Sequence, residues 1–348
     1  MKKLVIGLML ASSVVFGNQV EDGQKMYHLG MKYYHGDGVE VDYKKAYEHF
    51  EKAAKQGEAE SQFTLGAMYA IGIGVAKDEK MAIEWYEKAA LQNNLKAQYN
   101  LAKLYSDPTS PFKEYQKAKE WYEKAANQGY VMAQDNLASL YQNKDAGMLD
   151  EKKAFEWFEK AANAGLANAQ ANLATMYYNG TGAKKDLKKC FEWSEKAALQ
   201  NDIKAQYNLA ILYRDGQGVA QDYKKAIFWL EKAIAVSKSQ LKELESSANR
   251  YIKPLREESI EKINENYALA LHAYAAMIYK ARGTQKNDEK AVEFFKKAIA
   301  LNHKPSECYI VYPLVELGRI NEAKAYATKG ADNGIELCKD VVKEFKLK

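Results

Sequence analysis

The chain has 348 residues and a formal net charge of +5 at pH 7, with 47% hydrophobic and 28% charged residues. These proportions are normal for a soluble globular protein, and the nearly balanced charge gives no support for nucleic-acid binding. Only five prolines occur, which is typical of a chain rich in helices.

Residues 1–17 differ from the rest of the chain. Lys2 and Lys3 form a short positive segment, and a run of mostly apolar residues follows. Val15 and Gly17 suit the two recognition positions of a signal-peptidase site. The pattern predicts a bacterial-type signal peptide that is cleaved near Gly17, so that the protein is periplasmic or secreted. The alternative is an uncleaved membrane anchor, but the apolar run is short for a bilayer.

A repeat with a step of 36 residues dominates the sequence that follows. Each copy carries a leucine, a tryptophan and a pair of alanines in the same phase. The leucines are Leu65, Leu101, Leu137, Leu173 and Leu209. The tryptophans are Trp85, Trp121, Trp157, Trp193 and Trp229. Self-similarity at this step predicts a stack of small units that bury their apolar faces only against their neighbours.

Each copy is interpreted as two helices, A and B, joined by a short connector. In residues 97–132, Leu101, Leu104 and Tyr105 recur at helical spacing on helix A, and helix B carries its own apolar stripe around Trp121. In four copies the connector holds a G-x-G pattern, in which glycine ends helix A. An acidic residue in step then begins helix B as an N-cap. These residues are Asp42, Asp78, Glu114, Asp150, Asp186 and Asp222.

Residues 205–233 show the full pattern. It consists of Ala205-Gln206-Tyr207-Asn208-Leu209-Ala210, Tyr213, Gly216, Gly218, Val219, Asp222, Lys225-Ala226, Trp229 and Lys232-Ala233. This pattern resembles a Sel1-like repeat, which is related to the tetratricopeptide repeat. The resemblance covers residues 24–238 in six copies and, less perfectly, residues 267–305. It implies an all-α fold, a right-handed α-solenoid of stacked antiparallel helix pairs.

The repeats also predict how the chain is organised. We expect six repeats over 18–238, an extended helical hairpin over 239–266, a seventh, divergent repeat over 267–305 and capping helices over 306–348. Apolar residues at alternating steps of three and four in the hairpin segment favour two extended helices that turn near Pro254. A single long kinked helix is the alternative.

Three cysteines occur, namely Cys190, Cys308 and Cys338. Cys190 takes a position that alanine holds in other repeats, so we interpret it as a small buried side chain. Cys308 and Cys338 are 30 residues apart, near one repeat length, and would meet on neighbouring helices. In the oxidising compartment that a signal peptide implies, they are a candidate disulfide pair.

The sequence shows no catalytic, cofactor-binding or metal-binding constellation. The five histidines lack metal-ligand spacing, and G-x-G follows helices rather than strands, so it indicates turns and not a phosphate-binding loop. The resemblance suggests one alternative, because penicillin-binding or β-lactamase activity has been ascribed to exported cysteine-rich Sel1-like proteins. Ser-x-x-Lys matches begin at Ser110, Ser239 and Ser259, but the companion Ser-Asp-Asn and Lys-Thr-Gly motifs are missing.

Helix A lines the inner face of the related tetratricopeptide fold, so helix A is where we expect a binding groove. Variable side chains stand two positions before and after the repeated leucine, including Thr175 and Ile211, and asparagines stand directly before it. Aromatic and arginine side chains anchor interfaces, and an asparagine ladder can hold an extended peptide. Alternatively, the asparagines bond between repeats. The candidate residues are Tyr27, Phe63, Tyr99, Asn100, Lys103, Asn136, Asn172, Tyr207, Asn208 and Arg214.

The sequence thus favours a non-catalytic scaffold or adaptor of the bacterial cell envelope that binds a protein or peptide partner through the helix A surface. We expect a monomer without a cofactor, without a nucleic-acid partner and without a membrane span once the signal peptide is removed. Besides the penicillin-directed alternative, a secreted effector that acts on a host protein is a further hypothesis.

Overall fold

The structure is a computed structural model that describes residues 22–246 and 253–346. The expected signal peptide lies outside the described residues. The chain divides into two compact units, of which unit 1 ends at Trp157 and unit 2 begins at Phe158. Within the described ranges both units are built from helices, turns and loops, without a strand.

Unit 1 is a stack of helix pairs in which odd-numbered helices are helices A and even-numbered helices are helices B. The helices, with α8 crossing the division, are 22–35 (α1), Tyr43–Lys55 (α2), Ala59–Ile71 (α3), Glu79–Leu91 (α4), Leu95–Ser106 (α5), Tyr115–Asn127 (α6), Val131–Gln142 (α7) and Glu151–Asn163 (α8). From α2 to α7 each helix packs on the next one, and α5 also touches α3 and α7. This is the expected all-α arrangement of the solenoid class.

Unit 2 continues the same alternation and ends in shorter helices. Its helices are Ala167–Asn179 (α9), Leu187–Leu199 (α10), Ile203–Asp215 (α11), Tyr223–Ser246 (α12), Lys253–Tyr279 (α13), Asp288–Ala300 (α14), Ser306–Tyr309 (α15), Val311–Glu316 (α16), Ile320–Asp332 (α17) and Glu336–Glu344 (α18). Consecutive helices from α9 to α14 pack on each other, and α15 contacts α14, α16, α17 and α18. The last four helices therefore cover the end of the stack.

Helices α12 and α13 are the two long helices of unit 2, with 24 and 27 residues. They pack against each other, and the Tyr274 hydroxyl near the end of α13 donates to Glu231 near the start of α12 at 2.6 Å, so the two helices are antiparallel. Pro254 is the second residue of α13, and the turn itself, residues 247–252, lies outside the described residues. None of the described helices combines the length and apolar character needed to cross a bilayer.

The predicted aspartate caps are confirmed. The Oδ1 atoms of five aspartates each accept a hydrogen bond at 3.0 Å from the backbone N–H three residues later. These residues are Asp42, Asp78, Asp150, Asp186 and Asp222. Glu114 makes no such bond, and its carboxylate instead pairs with Lys117 at 2.9 Å. A longer side chain at the N-cap position therefore loses the capping geometry while keeping the favourable charge.

The G-x-G connectors are required by close packing as well as by the turn. Gly216 ends α11 with a φ of 67°, in the left-handed region that glycine adopts without strain. Gly218 also has a positive φ, and a Cβ atom there would lie 1.9 Å from the backbone oxygen of Leu187 at the start of α10. The second glycine thus lets this connector touch the preceding repeat, as Gly74 does against Tyr43.

A buried glutamine near the start of helix A ties it to the preceding helix B. In every case Nε2 donates at 3.1 Å to the backbone oxygen of the alanine eight residues earlier, the second member of the alanine pair. The glutamines are Gln62, Gln98, Gln134, Gln170 and Gln206. Gln92 and Gln200, each 30 residues after one of these glutamines, donate to its Oε1 at 2.8 Å. Val236 holds the next position of this kind, so Gln206 Oε1 stays unpaired.

The C-terminal helices are joined covalently in the structure. Cys308 in α15 and Cys338 in α18 form a disulfide, with a Cα–Cα distance of 4.9 Å. Gly330 of α17 packs directly against it, because a Cβ at this position would lie 2.1 Å from Cys338 Sγ. Beside them, the buried carboxylate of Glu307 pairs with Lys329 at 2.7 Å. Cys190 is a buried free thiol, in the alanine position of its repeat.

We predict that Gln98→Leu destabilises the protein by about 0.5–1.5 kcal/mol, because the buried backbone oxygen of Ala90 loses the hydrogen bond from the Gln98 amide and keeps the one from Asn93 N–H. The change is checked by urea unfolding followed by circular dichroism. Gln116→Leu, at an exposed position on the next helix B, is the matched control and should shift the midpoint little. Equal midpoints for the two variants would contradict a stabilising role for the buried amide.

Candidate binding surface

In unit 1 the two candidate asparagines are already bonded to the scaffold. Asn100 Nδ2 donates to the hydroxyl of Tyr86 at 3.3 Å, and Asn136 Nδ2 donates to the hydroxyl of Tyr99 at 2.9 Å. Each tyrosine belongs to the preceding repeat, so both bonds connect neighbouring repeats. In unit 1 this arrangement corresponds to the alternative in which the asparagines hold the repeats together.

The remaining candidates of unit 1 are partly packed side chains on helices A. The ring of Tyr27 lies 5.8 Å from that of Phe50, and the ring of Phe63 lies 5.9 Å from that of Tyr86. Both Tyr27 and Phe63 are half-buried, whereas Lys103 is exposed. These residues occupy the helix A positions expected from the sequence. Much of their aromatic surface, however, packs against other residues of unit 1.

Unit 2 differs, because the amides of Asn172 and Asn208 make no hydrogen bond within the described residues. Both side chains are half-buried. The tyrosine that Asn100 uses stands 14 residues earlier in the chain. The corresponding residues are Phe158 for Asn172, which has no hydroxyl, and Ser194 for Asn208, which is too short. The sequence of unit 2 thus leaves both amides available.

Ser194 also opens a cavity. Bulky aromatic residues hold its position in the preceding repeats, namely Phe50, Tyr86, Tyr122 and Phe158. With serine at this place a cavity of about 190 Å³ remains beside helix α11. Its lining residues are Ala174, Thr175, Tyr178, Cys190, Ser194, Tyr207, Asn208, Ile211, Leu212 and Gln217. The lining is mostly apolar, and the Asn208 amide is at its edge.

A second cavity of about 340 Å³ adjoins the first, and Tyr207 contributes to both. Its lining residues are Tyr207, Arg214, Asp215, His272, Ala273, Ala276, Met277, Lys280, Arg282 and Tyr309. On α9 and α11 the residues that line the two cavities lie between two positions before and six positions after the repeated leucine, and α13 contributes further lining residues. These are the helices A of three successive repeats, which is where the tetratricopeptide analogy places a binding surface.

The larger cavity is positively charged. Arg214 binds Asp215 through two hydrogen bonds of 2.7 Å, which raises the pKa of the guanidinium and lowers that of the carboxyl. This pair is close to neutral as a unit. Lys280 and Arg282 also line the cavity, and neither forms an ion pair within the described residues. Two positive charges therefore remain uncompensated at this site.

His272, which lines this cavity, lies close to a second histidine, His303. Ser306 Oγ lies 2.9 Å from His272 Nδ1 and 2.8 Å from His303 Nδ1. Because a hydroxyl donates only one proton, it donates to one ring nitrogen and accepts from the N–H of the other. Burial, followed by the nearby His303 and Arg214, lowers the pKa of His272 to about 3. His272 is therefore neutral at pH 7 and adds no charge to the cavity.

Sequence reasoning missed His272, Lys280 and Arg282, because the hairpin insertion displaces the seventh repeat from the 36-residue step. The connector glycines give the correct register. Gly283 corresponds to Gly218, since a Cβ at either position would strike the backbone oxygen that begins the preceding helix B. This register shift of 65 residues places His272 at the position of Tyr207.

The described residues also bear on two other kinds of site, a metal site and a lysine-activated serine. The described residues hold no group of three or more histidine, cysteine or acidic side chains that could bind a metal ion. Ser110, the first residue of a Ser-x-x-Lys match, bonds through its hydroxyl to the carboxylate of Glu79. The partner of this buried serine is thus a carboxylate at the start of α4, whereas a lysine activates the serine of penicillin-directed enzymes.

The fold and its site define a repeat protein of the α-solenoid class, and the family follows from the sequence match. The Sel1 repeat model matches residues 26–58, 59–94, 95–130, 131–166, 167–202, 203–235 and 268–303. Because these matches cover well over half of the chain, the protein belongs to the Sel1 repeat family. The expected resemblance is thereby confirmed, and the seventh match contains His272.

The chain is also similar to proteins whose structures have been solved. The chain is similar to a Sel1 repeat protein from Oxalobacter formigenes, with 25% identity, a TM-score of 0.61, and coverage of 78% of this chain and 96% of that chain. It is also similar to a protective antigen of uropathogenic Escherichia coli with an SLR fold, at 23% identity, a TM-score of 0.48, and coverage of 94% and 80%. For the cysteine-rich protein B of Helicobacter pylori the values are 27%, 0.30, 37% and 93%. None of the curated proteins matches the chain significantly.

We predict that acidification destabilises unit 2 partly through His272. Its pKa is lowered in the folded protein, so its stabilising contribution is complete above the unfolded value of about 6.5 and is lost as the pH falls towards 3. Urea midpoints at neutral pH and at about pH 4 should therefore differ less for His272→Phe than for the natural sequence. The exposed His28 provides the control His28→Phe, which should keep the full difference. An unchanged pH dependence in His272→Phe would contradict the prediction.

Proposed function

We propose that the protein is a non-catalytic scaffold that binds an extended segment of a protein partner along helices A of unit 2. The observation that supports this most strongly is the pair of adjoining cavities built by three successive helices A around Tyr207. Sel1 repeats are typical protein-interaction modules, and membership of that family supports the proposal. Aromatic and arginine side chains such as Tyr207 and Arg214 are common anchors of protein interfaces.

The free amide of Asn208 defines how a partner would lie. An asparagine side chain offers one acceptor and two donors, so that it can bind both backbone groups of an extended residue. Asn208 lines the smaller cavity and directly follows Tyr207, which lines both cavities. A partner segment that runs past Asn208 would place one side chain in each cavity, as in other modes of peptide recognition that combine backbone bonds with side-chain pockets.

The test is to close the smaller cavity by Ser194→Tyr, which restores the aromatic residue of the other repeats. We expect capture of envelope proteins by the immobilised variant to fall to background, while the melting temperature stays equal or rises because a void is filled. Quantitative mass spectrometry of the retained proteins is the measurement.

Phe50→Tyr is the matched control, since it adds only a hydroxyl at the equivalent buried position of the first repeat, in unit 1. This variant should capture the same proteins as the natural sequence. If Ser194→Tyr captures them as well, the helix A surface of unit 2 is not the binding surface.

The proposed location is the periplasm or the exterior of a bacterium. It rests on the pattern of residues 1–17 and predicts a mature N-terminus near residue 18. N-terminal sequencing of the protein recovered from fractionated cells that express the full chain checks this prediction. Recovery of an intact Met1 in the membrane fraction would instead support the uncleaved anchor.

A further inference from the structure

We propose that the larger of the two cavities that meet at Tyr207 binds an acidic side chain of the partner. The protein would then recognise an extended segment with an aspartate or glutamate close to an apolar residue. This inference rests on the proposed function and specifies the chemistry of its partner. It is carried by the charges and the shape of the two cavities that meet at Tyr207.

The lining of the larger cavity carries more positive than negative charges. Arg214, Lys280 and Arg282 are the cations of the larger cavity, and Asp215 is its only carboxylate. Asp215 is occupied by the two-point contact with Arg214. A neutral partner would leave Lys280 and Arg282 without compensation, whereas a carboxylate would form charge-assisted hydrogen bonds with them.

Two of these cations, Arg214 and Arg282, contact neighbouring side chains that restrict their movement. Asp215 engages Nε and Nη2 of Arg214 and fixes the plane of the guanidinium, while Nη1 remains available as a donor. The guanidinium of Arg282 lies 5.6 Å from the ring centre of Tyr223. Such fixed donors lose less conformational freedom on binding than mobile surface lysines.

The apolar surroundings of the cations favour a partner that carries one carboxylate next to an apolar residue. Ala273, Ala276 and Met277 form an apolar wall of the larger cavity, and His272 beside them is neutral. The adjoining cavity is lined by residues such as Ile211 and Leu212 and offers no cation. Because its lining is mostly apolar and holds no cation, that cavity favours an apolar partner residue, so that the two cavities that share Tyr207 take an acidic residue and an apolar residue.

The experiment uses the full chain after export, immobilised on a support, and two degenerate peptide libraries of equal length. One library has free C-termini and the other has amidated C-termini, and all N-termini are acetylated. Retained peptides are identified by mass spectrometry. We expect aspartate and glutamate to be enriched about tenfold in both libraries, together with an apolar residue at a fixed distance, and the enrichment should weaken as salt is raised.

The decisive variant is Lys280→Gln/Arg282→Gln, which should lose the acidic enrichment and keep the apolar preference. The matched control Lys188→Gln/Lys224→Gln removes two exposed charges from the first turns of α10 and α12, where neither residue lines a cavity. This control should retain the acidic enrichment. Melting temperatures of both variants show whether either change disturbs the fold.

The outcomes separate this inference from the proposed function. Retained peptides without acidic enrichment, or enrichment that survives Lys280→Gln/Arg282→Gln, would overturn the carboxylate site while leaving peptide binding intact. Enrichment confined to free C-termini would mean that the cavity takes a terminal carboxylate rather than an acidic side chain, which also overturns it. Retention of no peptide by the natural sequence would overturn both.

Discussion

The buried bond between a glutamine amide and an alanine carbonyl is the contact on which the stack depends. It joins five helices A to the end of the preceding helix B, where the alanine oxygen also accepts a hydrogen bond from the backbone N–H three residues later. The alanine pair brings the helices close enough for this bond, and the bond in turn satisfies a carbonyl that the close approach removes from water. Apolar packing by the repeated leucines then stabilises an arrangement whose register the polar bond has set.

Small changes within this scaffold turn part of it into a binding surface. Tyrosine in the buried aromatic position, as at residue 86, packs its ring in the core, and its hydroxyl accepts a hydrogen bond from the amide of the next asparagine. Ser194 at the equivalent position provides neither, so that a cavity and an unpaired Asn208 appear together. One substitution on helix B therefore creates both the space and the polar group that recognition of a peptide requires. The same asparagine position has a structural task in unit 1 and is available in unit 2.

The sequence predicted the helical repeat and the residues that end and begin its helices, because glycine and aspartate at these places act locally. It predicted the helix A positions of Tyr207, Asn208 and Arg214, but it left two roles open for the asparagines. Those roles depend on which hydroxyl another repeat supplies, 14 positions earlier for Asn100 and 37 positions earlier for Asn136, and this relation becomes visible only in the packed helices. His272, Lys280 and Arg282 escaped prediction because the long helices α12 and α13 shift their repeat out of phase. The glutamine bonds were missed for a similar reason, since a glutamine on a helix gives no sign of the carbonyl it reaches.

The short sequence separation of the glutamine bonds affects how such a chain can evolve. Each glutamine spans eight residues to its carbonyl, and where a second glutamine joins it, that partner stands 30 residues later. Every tie is therefore shorter than one repeat. Recombination between the coding segments of two repeats can delete or duplicate an entire unit and still rejoin matching surfaces. Evolution can thus change the spacing between recognition residues by one repeat at a time, and the packing between neighbouring repeats is preserved.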